Sequence, residues 1–223
     1  DPEGERVWEQ IYPGDGEDHP TCVVAAEGGF VILGVSNSTE DEGMYRIYLR
    51  KIDDGGKELW CRAITGVFPY QTWQGLEAHQ LICCADGGFA MAGWIDSTYL
   101  DPSSQTRSDA YIIRTDAHGE VIWERTYGTD RNERAFSIAE TEDGGFLVAG
   151  WARREQVANP TGKMRIDTYL LRVGAEGEEI WSRRIRGGAR DLAANAMIRS
   201  TDGGYVVVGS REFRTSIDAR GLN

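Results

Sequence analysis

No run in this chain approaches the eighteen or so consecutive apolar residues of a membrane helix, so membrane insertion is not expected. Cysteine is scarce. Cys22, Cys61, Cys83 and Cys84 form no CxxC pair and show no metal-finger spacing, so they read as small buried hydrophobes with free thiols. Neighbouring Cys83 and Cys84 should point to opposite faces of a strand, which argues against their sharing one metal site. Positive charge is also short. Lysine and arginine number 24 against 36 acids, a net charge of -12, with no basic stripe to offset it. Such a balance repels phosphate backbones and anionic lipid, and nucleic acid is not expected as a partner. The three histidines, His19, His79 and His118, make no HExxH. A Gly-x-Ser-x-Gly elbow and a phosphate-cradling loop are missing as well, which removes those hydrolase and nucleotide-binding classes. The chain opens at Asp1 rather than methionine, and reads as a processed or trimmed product without any export signal it once had.

Glycine, by contrast, is plentiful, with 28 among 223 residues, while the hydrophobic fraction is a modest 40%. That pairing suits short strands joined by tight turns. The decisive feature is repetition. Trp8, Trp60, Trp123 and Trp181 stand at spacings of 52, 63 and 58. A Gly-Gly-aromatic triplet recurs at Gly28-Gly29-Phe30, Gly87-Gly88-Phe89, Gly144-Gly145-Phe146 and Gly203-Gly204-Tyr205, each after an acid (Glu27, Asp86, Asp143, Asp202). A short apolar run then ends at Gly34, Gly93, Gly150 or Gly209. Tyr48, Tyr111 and Tyr169 each lie twelve residues before the next tryptophan, and Phe213 takes the tyrosine's place in the last copy.

One copy reads as four strands, 135–142, 146–151, 167–173 and 179–185, the second apolar throughout as a strand buried on both faces should be. Four-stranded sheets repeated radially are propeller blades. The expected fold is therefore all-β, a single small propeller of four blades: 19–65, 78–127, 135–185, and 194–218 completed by 6–12. The frame Trp-x-x-x-Tyr-Gly, Asp-Gly-Gly-aromatic, Asp-Ala-Tyr-Ile-Ile-Arg and Asp-Ala-x-Gly resembles the DGG-type propeller repeats of bacterial and archaeal secreted proteins and lipoproteins. The resemblance covers nearly the whole chain, with Ile64-Thr65-Gly66 departing from Tyr-Gly in the first copy. It implies a propeller and extracytoplasmic residence, and it carries over no catalytic residue.

The phase of the termini adds an expectation. Residues 6–12 are equivalent to a fourth strand and 213–218 to a third, so pairing them would close the ring and remove two sheet edges. The alternative is a portion of a larger ring.

Strand direction divides the loops by face. The Asp-Gly-Gly and Asp-Ala-x-Gly turns share one face; the longer connections (13–18, 66–77, 128–134, 187–193 and 36–45, 95–108, 152–166, 211–212) share the other, where binding is expected. Loop 66–77 offers Tyr70, Gln71, Trp73 and Gln74, and loop 95–108 offers Asp96, Tyr99 and Asp101, a mixture suited to sugar rings. Loop 152–166 carries Arg153, Arg154, Lys163 and Arg165, which would clamp an anionic group or form a solvated face. Asp18, Glu77, Glu133 and Asp191 precede the innermost strands. Convergence there would suit a calcium-like cation or an acid/base pair for glycoside cleavage, while recurrence with the repeat favours a structural role. No other cofactor is expected.

The main expectation is a non-catalytic recognition module for a glycan or partner protein. It would use Tyr70, Trp73, Glu77, Asp96, Tyr99, Arg131, Glu133, Arg153, Arg190 and Asp191. The alternative is a hydrolase or lyase using paired carboxylates or His79.

Overall fold

The computed structural model describes residues 2–12, 16–37, 45–64, 75–96, 108–129, 131–154, 165–187 and 191–211. They fold into antiparallel sheets, with no α-helix among the described residues. The first sheet comprises β1 (Asp18–Ala26), β2 (Gly29–Ser36), β3 (Arg46–Ile52) and β4 (Glu58–Ile64). The second comprises β5 (Leu76–Cys83), β6 (Phe89–Asp96), β7 (Ser108–Thr115) and β8 (Val121–Tyr127). The third comprises β9 (Glu133–Glu140), β10 (Phe146–Arg153), β11 (Ile166–Val173) and β12 (Glu179–Ile185). A two-stranded sheet of β13 (Leu192–Arg199) and β14 (Tyr205–Arg211) follows. Each four-stranded sheet is a meander in chain order, and the first strands β1, β5, β9 and β13 pack successively on one another. The arrangement is propeller-like, with each four-stranded sheet in the place of one blade and the last sheet showing two strands among the described residues.

Blades meet through apolar faces. Val31, Leu33 and Val35 of β2 pack on Phe89, Met91 and Ile95 of β6 in one core, and Ala90 and Ala92 join Phe146 and Val148 of β10 in the next. Leu147 and Ala149 continue the series against Tyr205. Burying both faces of β6 and β10 explains their continuous apolar composition.

The recurring sequence marks have distinct mechanical roles. Arg114 donates from Nη2 to both carboxylate oxygens of Asp86 (2.6 and 2.5 Å), and Arg172 does the same to Asp143 (2.5 and 2.6 Å). Lys51 replaces arginine in the first blade and donates to the Glu27 carbonyl at 2.6 Å. The basic residue three positions after each repeat tyrosine thus ties β3-type strands to the Asp-Gly-Gly turn. At the end of the apolar run, a Cβ on Gly93 would sit 1.9 Å from the Glu77 carbonyl oxygen, so only glycine admits that strand approach.

The repeat tryptophans bridge blades at the rim rather than deep in a core. Trp60, Trp123 and Trp181 are half-buried, and Trp8 is 41% exposed. Three of the four indoles lie over the turn glycine of the following blade: Trp8 on Gly56, Trp60 on Gly119, Trp123 on Gly177. All three glycines have positive φ, and a Cβ there would stand about 3 Å from a tryptophan or arginine side chain. Because the indole edge overhangs a turn at the rim, one side stays in water. The tyrosine four residues later completes the grip, Tyr12 donating to the Gly56 carbonyl at 2.7 Å and Tyr127 to that of Gly177 at 2.6 Å.

Residues 6–12 form no strand in this structure, although Trp8 and Tyr12 make the repeat's usual contacts. Their expected partner, 213–218, lies outside the described residues. All four cysteines are free; Cys83 is exposed rather than buried because it ends β5 on the solvent side. Its neighbour Cys84 is buried, with its thiol pushed up to about 12 by desolvation.

Candidate functional site

The strands that open onto the long-loop face place several polar side chains at the seam between the first two blades. Each innermost strand carries one unpaired extra residue, a β-bulge, at Thr21, His79, Phe136 or Asn195. A bulge re-aims the side chain it carries. His79 is thereby turned against the Phe136 ring of the next blade, centroids 4.6 Å apart, with its Nε2 3.1 Å from Glu77 Oε2. Burial holds the His79 pKa below its ordinary value, Glu77 opposing that shift and Arg134 adding to it.

A cleft of 230 Å³ opens beside this pair. His19, Thr21, Glu77 and His79 give it polar groups, and Val35, Leu76 and Ala78 an apolar floor. Behind it, Arg134 lies over the Trp94 ring at 3.5 Å and the Trp151 ring at 5.3 Å, donates to Ser108 Oγ at 3.1 Å, and feels the charges of Glu77 and Asp96. Glu77, Asp96 and Arg134 therefore form one electrostatic unit.

The expected ring of four equivalent carboxylates does not exist. Register places Asp18, Leu76, Glu133 and Leu192 at corresponding positions, opposite Ser36, Ile95, Ala152 and Arg211. Glu77 falls one residue later and Asp191 one earlier, so alternation turns their side chains away from a common point. Glu133 is fully buried, accepting from Thr129 N at 3.1 Å, Thr129 Oγ1 at 2.8 Å and Arg184 Nη2. Desolvation raises its pKa against those donors and Arg131. Asp191 accepts from Ile166 N at 3.2 Å. Both brace backbone. Among the described residues, no group of three or more His, Cys, Asp or Glu side chains is arranged to hold a metal ion.

Of the other expected site residues, half-buried Arg131 lies near Glu133, and Arg153 joins strand ends by donating from its backbone N to the Asn132 carbonyl at 2.7 Å. Arg154, in the basic loop, donates from Nε to buried Asp167 at 2.9 Å. Tyr70, Trp73, Tyr99 and Arg190 lie outside the described residues. Sequence reasoning passed over His19, Thr21, Trp94, Arg134 and Trp151. The one available signal was the Gly-Trp pair ending the apolar run in blades two and three, where Gly34 and Gly209 precede Val35 and Ser210.

No protein-family model matches the chain. A 111-residue stretch is 28% identical to the regulatory protein FlaEY of Caulobacter vibrioides, covering 47% of this chain but 11% of that protein. Among solved structures, a thermostable family-43 glycoside hydrolase is similar at 13% identity and a TM-score of 0.48, over 86% of this chain and 64% of the other. The chain thus spans less than two thirds of either.

Proposed function

We propose that this chain is a non-catalytic recognition module that holds a glycan on the long-loop face, in the cleft between its first two blades. The observation that carries this reading is the cleft itself: two imidazoles, a carboxylate and a hydroxyl around an apolar floor. Sugar rings present hydroxyls at their edge and C–H groups on their face, which is the complement of that lining. Tyr70 and Trp73 belong to the connection that leads into β5, a strand lining the cleft, and Tyr99 to the connection between β6 and β7. They supply aromatic surface in this reading, with Arg131, Arg153 and Arg190 favouring an anionic group on the ligand. A partner-protein segment is the second occupant of the same face. The architecture belonging to this reading is a ring in which a 6–12 strand completes a blade beside 213–218, in an extracytoplasmic protein.

A hydrolase reading has one observation in its favour, the His79–Glu77 pair, whose imidazole burial keeps neutral and able to accept a proton. His79→Asn separates the two. Lost retention of array glycans with an unchanged melting curve supports recognition. Retained binding with loss of a wild-type cleavage activity, followed by chromatography of the products, supports catalysis. Wild-type behaviour in both assays removes the cleft from consideration.

A further inference from the structure

Each blade offers two faces, and the internal interfaces always join the same two kinds. Val23, Leu81, Ile138 and Met197 are equivalent in register, facing Ile32, Met91, Val148 and Val207. In the three later blades this residue is 1%, 1% and 2% exposed, because the preceding blade covers it; Val23 is 59% exposed. Around it runs an apolar groove of about 500 Å³ that also takes in Trp8, Phe30, Ile32 and Ile52. Trp60 and Phe89 occupy the positions of Trp8 and Phe30 in the next blade, and there the first blade fills the space.

Among the described residues, nothing covers the opposite face on the last blade. Val206 and Val208 correspond to Val31 and Leu33, or to Leu147 and Ala149, all of which are buried against a following blade. Here they are exposed, as is Ile198 beside them at 66%. The exposed face of the first sheet and that of the last therefore match the two halves of one more inter-blade interface.

A specific contact defines how they would meet. Cys22, Gln80 and Ser137 are equivalent, and each reaches the backbone of the next blade at the position just described. Cys22 Sγ lies 4.0 Å from the Leu81 carbonyl oxygen, Gln80 Oε1 accepts from Ile138 N at 2.7 Å, and Ser137 Oγ accepts from Met197 N at 2.9 Å. The residue at that position in the last blade is Ala196, and its counterpart across the missing interface is Val23.

We propose that a second copy of this chain fills both faces, the last blade of each copy docking on the first blade of the other. A heterologous contact of this kind closes when the rotation permits, and two copies of four blades reach the upper end of the roughly four to eight blades of known propellers. In that assembly Trp8, already seated on Gly56 of its own first blade, belongs to a segment lying against the partner's last blade. The inference puts closure between two chains in the place of closure within one, and it is independent of the ligand.

The test mixes Val23→Cys chains with Ala196→Cys chains, both in a Cys83→Ser background that removes the exposed native thiol. A disulfide-linked dimer should form under mild oxidation in the mixture and not from either variant alone. Sedimentation of the wild-type chain should show a dimer, and Ile198→Asp or Val208→Asp should weaken it at least tenfold with the melting curve of the monomer unchanged. A wild-type monomer at all concentrations would overturn the proposal. So would a Val23→Cys/Ala196→Cys double variant forming its disulfide within one chain, which would place closure inside the molecule.

Discussion

Asp86 is held in its charged form first by the Gly88 backbone N–H and then by Arg114, and its pKa lies below the ordinary carboxylate value. Asp143 is lowered likewise, led by the Thr141 hydroxyl. A carboxyl whose folded pKa is depressed adds stability above its unfolded pKa and loses it as pH falls through the folded one. Asp86→Asn should therefore lower the melting temperature at neutral pH and flatten its fall below about pH 4, the ordinary aspartate range. A fall as steep as wild type in an acid melting series would contradict the clamp. Glu133 behaves oppositely: burial raises its pKa, so its contribution weakens as pH rises through the folded value. It anchors Thr129 and Arg184, and Glu133→Gln should cost about 1–3 kcal/mol by leaving those donors poorly satisfied. Denaturant unfolding measures that cost, and glycan retention should survive it.

At the scale of the element, the tryptophan-on-glycine contact repeats from blade to blade. Trp123 donates from Nε1 to the Ala175 carbonyl at 2.8 Å and meets the Phe146 ring edge-on at 6.0 Å. Because the indole is half-exposed, Trp123→Ala should cost about 2–3 kcal/mol, less than the ~3–5 kcal/mol of a fully buried aromatic deletion. Gly177→Ala should destabilise as well, since the residue has φ of +83° and its Cβ would meet Arg125 at 2.9 Å and Trp123 at 3.1 Å. Thermal melts of the two variants and their combination should show strong non-additivity, because both break one contact. Full additivity would mean the indole stabilises something else. These elements were legible beforehand: the glycines and tryptophans recur visibly, and the third-copy strands lie within a few residues of their observed limits. Burial depth was not legible, because an indole over a rim turn and an indole in a core leave the same letter. The carboxylate arrangement was misread for a related reason. A one-residue offset between Glu77 and Leu76 reverses the side chain, and spacing across variable loops does not resolve one residue.

For the molecule as a whole, the repeat sets a scaffold, and the blades differ from one another at fixed positions of it. His79 and Thr21 stand where the other blades carry Phe136 and Asn195 at the same bulge, and Trp94 and Trp151 interrupt a position held elsewhere by Val35 and Ser210. These departures from the repeat at one geometric position are what the proposed recognition site draws on. The bulge that aims His79 at Glu77 depends on pairing between β5 and β6, which no local sequence window displays. The proposed function puts the ligand in this cleft. The most direct test is a glycan array probed side by side with the wild-type chain and Glu77→Gln, their melting curves matched beforehand. A class of glycans should be retained by the wild type and lost at least tenfold in Glu77→Gln. Equal retention by both proteins, or no retained glycan by the wild type, would contradict it.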